Sequence, residues 1–454
     1  MLIVKKEKNV KKRFVQLCVL LTLCAFMCGC SLSMDDLLTP PKLTAEQNEI
    51  YRELINSVGS VKLKYPRSGD YRSAFVLKDI DDEPGIEAIV FYEGKNTQSG
   101  ESNLRMKILD KTNDKWEAVY DLSCTGSEVD SISFSRIGNS EYDDIIVCYT
   151  MLNQTEKSFS VLRYRSRMPQ VLYTSVYSGI EVYDLNNDGL NELLVISADK
   201  VNQIAVAKMF TNGDNGFEKL SETMIFGGAA SYNCTTKGLV REDTPALFLD
   251  YSKGGGQSGT DVLYCYGNSL FCPNSWAANS NSGIINRVVN NYIAEINCCD
   301  IDGDGLIEIP STTPLPGYET YAKSEQLSAV MWYTIKNDKF EMKHYSYYSE
   351  RYGFALLFPN RWRGIVSVIP NTSTNEILFV TYDEEIGIKG SDVNEIMRIR
   401  CVDKNDAAAV SAASGLTVLG ENDDTLFCYI ESGKFRTGTM ALTDSELKNS
   451  FIIL

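Results

Sequence analysis

Asp300-Ile301-Asp302-Gly303-Asp304-Gly305-Leu306-Ile307-Glu308 is a nine-residue acidic turn that runs straight into a β-type segment. Its acids alternate, so their carboxylates converge while the residues between them face away, and Gly305 permits the sharp bend. The frame recurs as DLNNDGLNE at 184–192, DIDDEPGIE at 79–87 and RIGNSEYDD at 136–144, with a worn copy, VREDTPALFL, at 240–249. The closing acids Glu87, Asp144, Glu192 and Glu308 are 57, 48 and 116 residues apart, the last step being twice 58 across the worn copy. Each turn is followed by two β-type runs around a polar turn: Leu104–Leu109 with Trp116–Leu122, Phe159–Tyr164 with Gln170–Thr174, and Ile204–Phe210 with Phe217–Leu220. Val262–Tyr266 with Leu270–Cys272 and Ala329–Ile335 with Phe340–His344 continue the series.

One unit is therefore strand, acidic turn, strand, hairpin: four strands in about 50–58 residues, the size of a β-propeller blade. A lone four-stranded sheet cannot bury both faces, whereas radial stacking does so and hides most strand edges. The expected fold is all-β: a β-propeller of about five four-stranded blades over residues 60–345, with a small C-terminal α+β domain. Val61–Tyr65 is placed to complete the last sheet from the N-terminal side. An irregular β-sandwich or solenoid is the competing architecture.

Two turns keep complete sets of hard oxygen donors. One is Asp300, Asp302, Asp304, the backbone carbonyl of Leu306, and Glu308; the other is Asp184, Asn186, Asp188, the carbonyl of Leu190, and Glu192. Five or six such oxygens suit Ca²⁺ rather than zinc. Asp79, Asp81, Glu83 and Glu87 form a weaker third set, because Pro84 stands where the glycine belongs. Arg136, Gly138 and Ser140 have replaced the first ligands of the fourth turn, and Arg136 brings a cation of its own. A tight turn held by Asx hydrogen bonds is the non-metal alternative. Both complete turns lead into a strand and close at position nine, unlike an EF-hand loop. The pattern resembles the FG-GAP or VCBS-type repeats of integrin-α-like propellers and of many bacterial surface proteins. The resemblance covers about 280 residues and implies one to two structural calcium ions that stabilise the blades rather than catalyse.

The first 29 residues read as a secretory address. Lys5, Lys6, Lys8, Lys11, Lys12 and Arg13 precede an apolar run from Phe14 to Met27, too short for a stable transmembrane helix. Met27-Cys28-Gly29-Cys30-Ser31 resembles a bacterial lipobox, which implies a diacylglycerol on Cys30 and attachment to the bacterial cell membrane, facing outside. Removal of residues 1–29 takes six cations and one acid and moves the net charge from −16 to −21. So acidic a chain repels nucleic acid. Residues 30–42, with Pro40 and Pro41, form a tether, and residues 43–59 a helix opened by the capping-box spacing of Thr44 and Gln47.

The repeat stops near residue 345, and residues 346–454 start another unit. Tyr352-Gly353-Phe354-Ala355-Leu356-Leu357-Phe358-Pro359-Asn360-Arg361-Trp362 is similar to the opening of PsbP-like α/β modules. Strands at Ile377–Tyr382, Ile396–Val402 and Leu426–Ile430 and a helix near Asp403–Ser414 are expected to follow. An appended half-formed sixth blade is the alternative.

His344 is the single histidine, which excludes serine–histidine triads and histidine metal clusters; it reads as an ordinary surface residue. Cys124, Cys148, Cys234, Cys265, Cys272, Cys298, Cys299, Cys401 and Cys428 read as buried thiols without a disulfide framework, and Cys265 with Cys272 is the pair best placed for a bridge. The functional expectation is a lipid-anchored, non-catalytic surface binding or scaffold protein whose ligand is an envelope polysaccharide or protein. The Gly254–Gln257 stretch is a candidate exposed loop. The alternatives are a propeller-based polysaccharide lyase or hydrolase using carboxylates and an envelope-assembly accessory lipoprotein. The adjacent acids Asp143 and Asp144, or Asp423 and Asp424, point apart on a strand and do not suit acid–base work on one bond.

Overall fold

The computed structural model describes residues 43–94, 103–151, 157–213, 216–254, 257–273, 296–388, 394–431 and 439–454. The expected signal, Cys30 and the expected tether, with Gly255 and Gly256 of the glycine stretch, lie outside them. Helix α1 (Ala45–Val58) carries the expected capping box, with the Thr44 and Gln47 side chains and backbone N–H groups bonded reciprocally. Among the described residues twenty-seven strands, two further α-helices and a 3-10 turn (Asn360–Trp362) follow. The first sheet holds β1 (Lys62–Lys64), β2 (Phe75–Lys78), β3 (Glu87–Glu93), β4 (Leu104–Thr112) and β5 (Lys115–Ser123). The second holds β6 (Glu128–Ser135), β7 (Asp144–Thr150), β8 (Lys157–Arg165) and β9 (Met168–Tyr177). The third holds β10 (Gly179–Tyr183), β11 (Glu192–Asp199), β12 (Ile204–Gly213) and β13 (Gly216–Ile225). The fourth holds β14 (Ser231–Arg241), β15 (Thr244–Gly254), β16 (Gln257–Tyr266) and β17 (Ser269–Phe271). The fifth holds β18 (Ile309–Pro314), β19 (Ser328–Lys336), β20 (Lys339–Ser349) and β21 (Phe354–Leu357), joined by β27 (Phe451–Ile453). The sixth runs β22 (Val366–Asn371), β23 (Glu376–Thr381), β24 (Asn394–Asp403), β26 (Thr425–Glu431) and β25 (Thr417–Glu421). Helix α2 (Ala407–Ala412) follows β24, and α3 (Asp444–Ser450) precedes β27.

The fold is all-β, and its four- and five-stranded antiparallel sheets follow the sequence repeat. The hairpins close on two residues, Asn113–Asp114, Ser166–Arg167 and Asn337–Asp338, all with positive φ, the turn geometry that matches strand twist. In the first three sheets the strand that follows the acidic loop is mostly apolar and buried because it faces a layer on both sides. Ala88, Val90 and Tyr92 of β3 pack with Ile50 and Leu54 of α1, while Ile89 and Phe91 pack with Ile145 and Val147 of the second sheet. Ile146 and Cys148 then meet Leu193 and Val195 of the third sheet, whose Leu194 and Ile196 meet Leu247 and Leu249 of the fourth. Ala246 and Phe248 meet Ile309 and Ile335 of the fifth sheet. The fifth and sixth sheets share one core, with Tyr347, Phe354 and Leu356 against Val368, Ile377, Phe379 and Phe427. The far face of the sixth sheet, Val402 and Cys428, is covered by Ala409 and Ala413 at α2. Among the described residues, no hydrophobic cluster joins the first sheet to the sixth.

Three expectations are corrected. β1 pairs with β3 of its own sheet, sharing that edge with β2, so Val61–Tyr65 does not complete the last sheet; β21 and β27 extend the fifth sheet instead. The strand at Phe354–Leu357 therefore belongs to the fifth sheet, not to the unit that follows. The worn copy is a plain hairpin, with Arg241 opposite Thr244 and only Glu242 and Asp243 between them.

Candidate cation sites in the acidic loops

Each long acidic loop runs from β2, β6, β10 or the bridging residue Cys299 into the next strand, and one hydrogen bond defines it. The closing carboxylate accepts the N–H of the residue seven positions earlier: Glu87 from Ile80 at 2.9 Å, Glu192 from Leu185 at 3.0 Å, Glu308 from Ile301 at 3.0 Å. Asp144 takes the N–H of Ile137 in the same way. That second residue is always aliphatic and buried, so it plugs the loop into the layer between sheets. The fourth residue is left-handed, with φ 57° at Asp82, 61° at Asn187 and 75° at Gly303, which explains why Asp, Asn and Gly alone occupy it in these three loops. The first acid binds the turn from within: both Asp184 oxygens accept backbone N–H groups, from Asp188 and Gly189, and Asp300 accepts those of Gly303, Asp304 and Gly305.

The loops differ in how their charge is balanced. Burial pushes Glu87 and Glu192 up to about 7. Among the described residues, no lysine, arginine or histidine makes an ion pair with Asp184, Asp188 or Glu192, nor with Asp79, Asp81 or Glu87. In the second sheet Arg163 from β8 forks onto Asp144 at 2.8 and 3.0 Å and reaches Asn212 at 3.1 Å. In the fifth sheet Lys343 from β20 places its Nζ 2.8 Å from Asp302, 2.6 Å from Asp304 and 2.9 Å from Glu308. His344 Nε2 stands 2.7 Å from the same Asp302 carboxylate. Burial favours the neutral acid at Asp302, but the bonds from Lys343 and His344 outweigh it and hold the group below its ordinary range.

The structure brings together the acids of two predicted sets, whereas among the described residues Asp184, Asp188 and Glu192 do not converge as a group of three. Oxygens of Asp300, Asp302 and Asp304 lie within 4.8 Å of one another, as do those of Asp79, Asp81 and Glu87, so the weaker third set converges despite Pro84. The strongest predicted set, Asp302 with Asp304 and Glu308, already holds an internal ammonium. The 184–192 loop keeps its donors without one: the Asn186 amide donates to Asp188 at 2.9 Å, and the Asp188 carboxylate accepts the N–H of Leu190. Lys343 and Arg163 left no mark in the loop sequences, since cross-strand register brings them there from other strands. His344, read as an ordinary surface residue, is part of the Asp302 contact.

The loops stand side by side. Arg136 bridges toward Asp82 at 3.5 Å, and Ile137 pairs with Asn191. Asn187 donates to the Asp243 carbonyl at 3.3 Å, and Leu239 pairs with Leu306. One edge of the stack is therefore a continuous acidic rim. Asp143 and Asp144 diverge, the first to Lys78 at 3.1 Å and the second to Arg163. Cys265 and Cys272 are both free thiols, as are Cys124, Cys148, Cys298, Cys299, Cys401 and Cys428; the Cys234 side chain lies outside the described residues.

No family model and no curated protein matches the chain. Among solved structures, an exotype rhamnogalacturonan lyase shares 11% identity over 75% of this chain and 79% of its own, at a TM-score of 0.30. A rhamnogalacturonan lyase of Bacillus licheniformis shares 10% over 74% and 76%, also at 0.30. A hypothetical selenium-binding protein from Sulfolobus tokodaii shares 8% over 46% of this chain and 55% of its own, at 0.27, so the chain spans about half the length of that protein. Likenesses at this level carry no chemistry over to the chain.

Proposed function

We propose that the chain is a lipid-anchored surface binding scaffold without catalytic activity, its sheets the blades of a propeller-type body with α1 on the outer face of the first sheet and α2 on that of the sixth. Calcium neutralises part of its acidic rim. The observation that supports this reading is the unequal charge balance along the rim. Two loops carry their own cation, Arg163 or Lys343, while the 184–192 loop buries Glu192 beside Asp184 and Asp188 with no cation paired to them. A buried carboxylate needs a counter-charge to stay ionised, and the donors of this loop are all oxygen, the preference of Ca²⁺. Asp184, Asn186, Asp188, the Leu190 carbonyl and Glu192 would hold the ion, which would supply the missing positive charge at the start of β11. At Asp300, Asp302, Asp304, Leu306 and Glu308 an ion has to displace Lys343. The carboxylate neighbours Asp143 and Asp144 face different partners, which favours display over acid–base chemistry.

Calcium is expected to raise the melting temperature by a few degrees over excess EGTA, and Asp184→Ala to abolish most of that difference. Lys343→Met is expected to lower the melt in EGTA and enlarge the calcium response. A melt indifferent to calcium in wild type and in Lys343→Met would remove the ion from the proposal. Cys30→Ser is expected to abolish lipid labelling and membrane fractionation; unchanged labelling would remove the anchor.

A further inference from the structure

A cleft of about 600 Å³ opens where the fifth sheet meets the sixth, within the roughly 300–1,000 Å³ of small-ligand sites. It lies apart from the loops described above. Three charged side chains line it, Arg363, Glu319 and Glu384, together with the rings of Tyr345 and Tyr382 and the thioether of Met331. Among the described residues, no carboxylate comes within 4.0 Å of the Arg363 guanidinium, although two acids share its cleft. Opposite charges have been set around one space without touching.

Their supports are rigid. Trp362, next to Arg363, is fully buried and donates its indole N–H to the Met440 carbonyl at 2.8 Å, and Arg361 donates to the Ala441 carbonyl at 2.8 Å. Glu319 accepts the Gly317 N–H at 2.8 Å through one oxygen. Gly317 has φ 85°, and a Cβ there would meet the Tyr382 ring at 2.6 Å, so this loop and that ring are fitted edge to edge. The turn carrying Glu384 is closed by the Asp383 carboxylate, which accepts the Glu385 N–H at 2.8 Å. Glu319, held by its bond to Gly317, loses little freedom on binding, whereas the exposed Arg363 and Glu384 side chains are ordered by the ligand.

The lining selects among ligands. Two acids against one base, on a chain of net charge −16, disfavour an anion. Three charged heads disfavour a purely apolar ligand. Pro314 and Pro316 also line the cleft, and they have no N–H with which to pair an added peptide strand. A sugar hydroxyl donates and accepts at once, so it can bridge a guanidinium to a carboxylate, and a pyranose C–H face stacks on tyrosine. We propose that this cleft binds a neutral saccharide, with Arg363 donating to hydroxyl oxygens, Glu319 and Glu384 accepting from hydroxyl groups, and Tyr382 packing against the ring.

The inference deepens the display reading by naming a ligand class, yet its test needs neither calcium nor the anchor. The full chain in detergent would be titrated by calorimetry with neutral gluco-, galacto-, manno- and N-acetylglucosamine tetrasaccharides, a uronate tetrasaccharide and a neutral tyrosine-rich peptide. Saturable binding of a neutral saccharide at millimolar concentration or below is expected, weakened about tenfold by Arg363→Ala and several-fold by Glu384→Gln. Both side chains are exposed, so the melting temperature should stay put. Binding of none of the neutral saccharides, preference for the uronate or the peptide, or full affinity in Arg363→Ala would overturn the proposal. A calcium-indifferent melt with intact saccharide binding would instead remove only the ion, and normal lipid labelling without saccharide binding only the cleft.

Discussion

Asp144 is fully buried, and its charge is tolerable only because Arg163, itself 11% exposed, grips it with two nitrogens. Removing the guanidinium leaves a buried carboxylate without a partner, so Arg163→Met should cost about 3–5 kcal/mol in urea unfolding, and Asp144→Asn with Arg163→Met should recover part of it. Gly138, in the same loop, has φ 54°, and a Cβ there would meet the backbone of Asn212 at 2.5 Å. Gly138→Ala should therefore cost about 1–2 kcal/mol from left-handed strain alone, and more once the clash is added. The convergence of Asp300, Asp302 and Asp304 was legible because alternation and spacing are local properties. The counter-cations were not: Lys343 lies 35 residues beyond Glu308 and Arg163 lies 19 beyond Asp144, and only strand register carries them into place. The proline at position 84 does not prevent convergence, since the oxygens of Asp79, Asp81 and Glu87 lie within 4.8 Å of one another.

At the level of elements, local chemistry was again the readable part. Thr44 and Gln47 announced α1, and Thr44→Ala should cost about 1 kcal/mol through the lost cap. Its buried residues Ile50 and Leu54 cover the first sheet, so Leu54→Ala should cost about 2–5 kcal/mol. Helix α3 was not anticipated, although Thr443 and Glu446 form a second capping box; seven residues offer too little periodicity to notice. Arg361, then the Thr443 N–H, hold Glu446 at about 2 against an ordinary 4.5. A depressed acid stabilises the fold above its unfolded pKa, and that contribution disappears as pH falls through 4.5 toward 2. The pair is about one-third exposed, so screening reduces its worth to roughly 1 kcal/mol. Stability measured from pH 6 to pH 2 should fall less steeply in Glu446→Gln than in wild type.

For the whole molecule, the all-β repetition of four-stranded sheets was legible; the number of sheets, six among the described residues against about five expected, and the manner of stacking were not. Apolar second strands disclose that both faces are covered, but not what covers the outermost ones, and α1 and α2 do so here. The boundary near residue 345 was also too sharp, since one core spans the fifth and sixth sheets. Phe451 makes that union concrete: its ring lies 5.1 Å from Phe354 and 5.3 Å from Phe427, one from each sheet. Phe451→Ala should cost about 2–3 kcal/mol, and both sheets should lose protection together in hydrogen exchange. Separate loss would mean that they open as independent units.

The pairing of β27 with β21 also orders events in time. Residues 354–357 emerge during synthesis well before their partner strand, which begins only at residue 451. Until then the fifth sheet presents an uncovered edge, and the intervening sixth sheet has to form beside it. A chaperone that shields nascent β edges would have its longest task on this stretch.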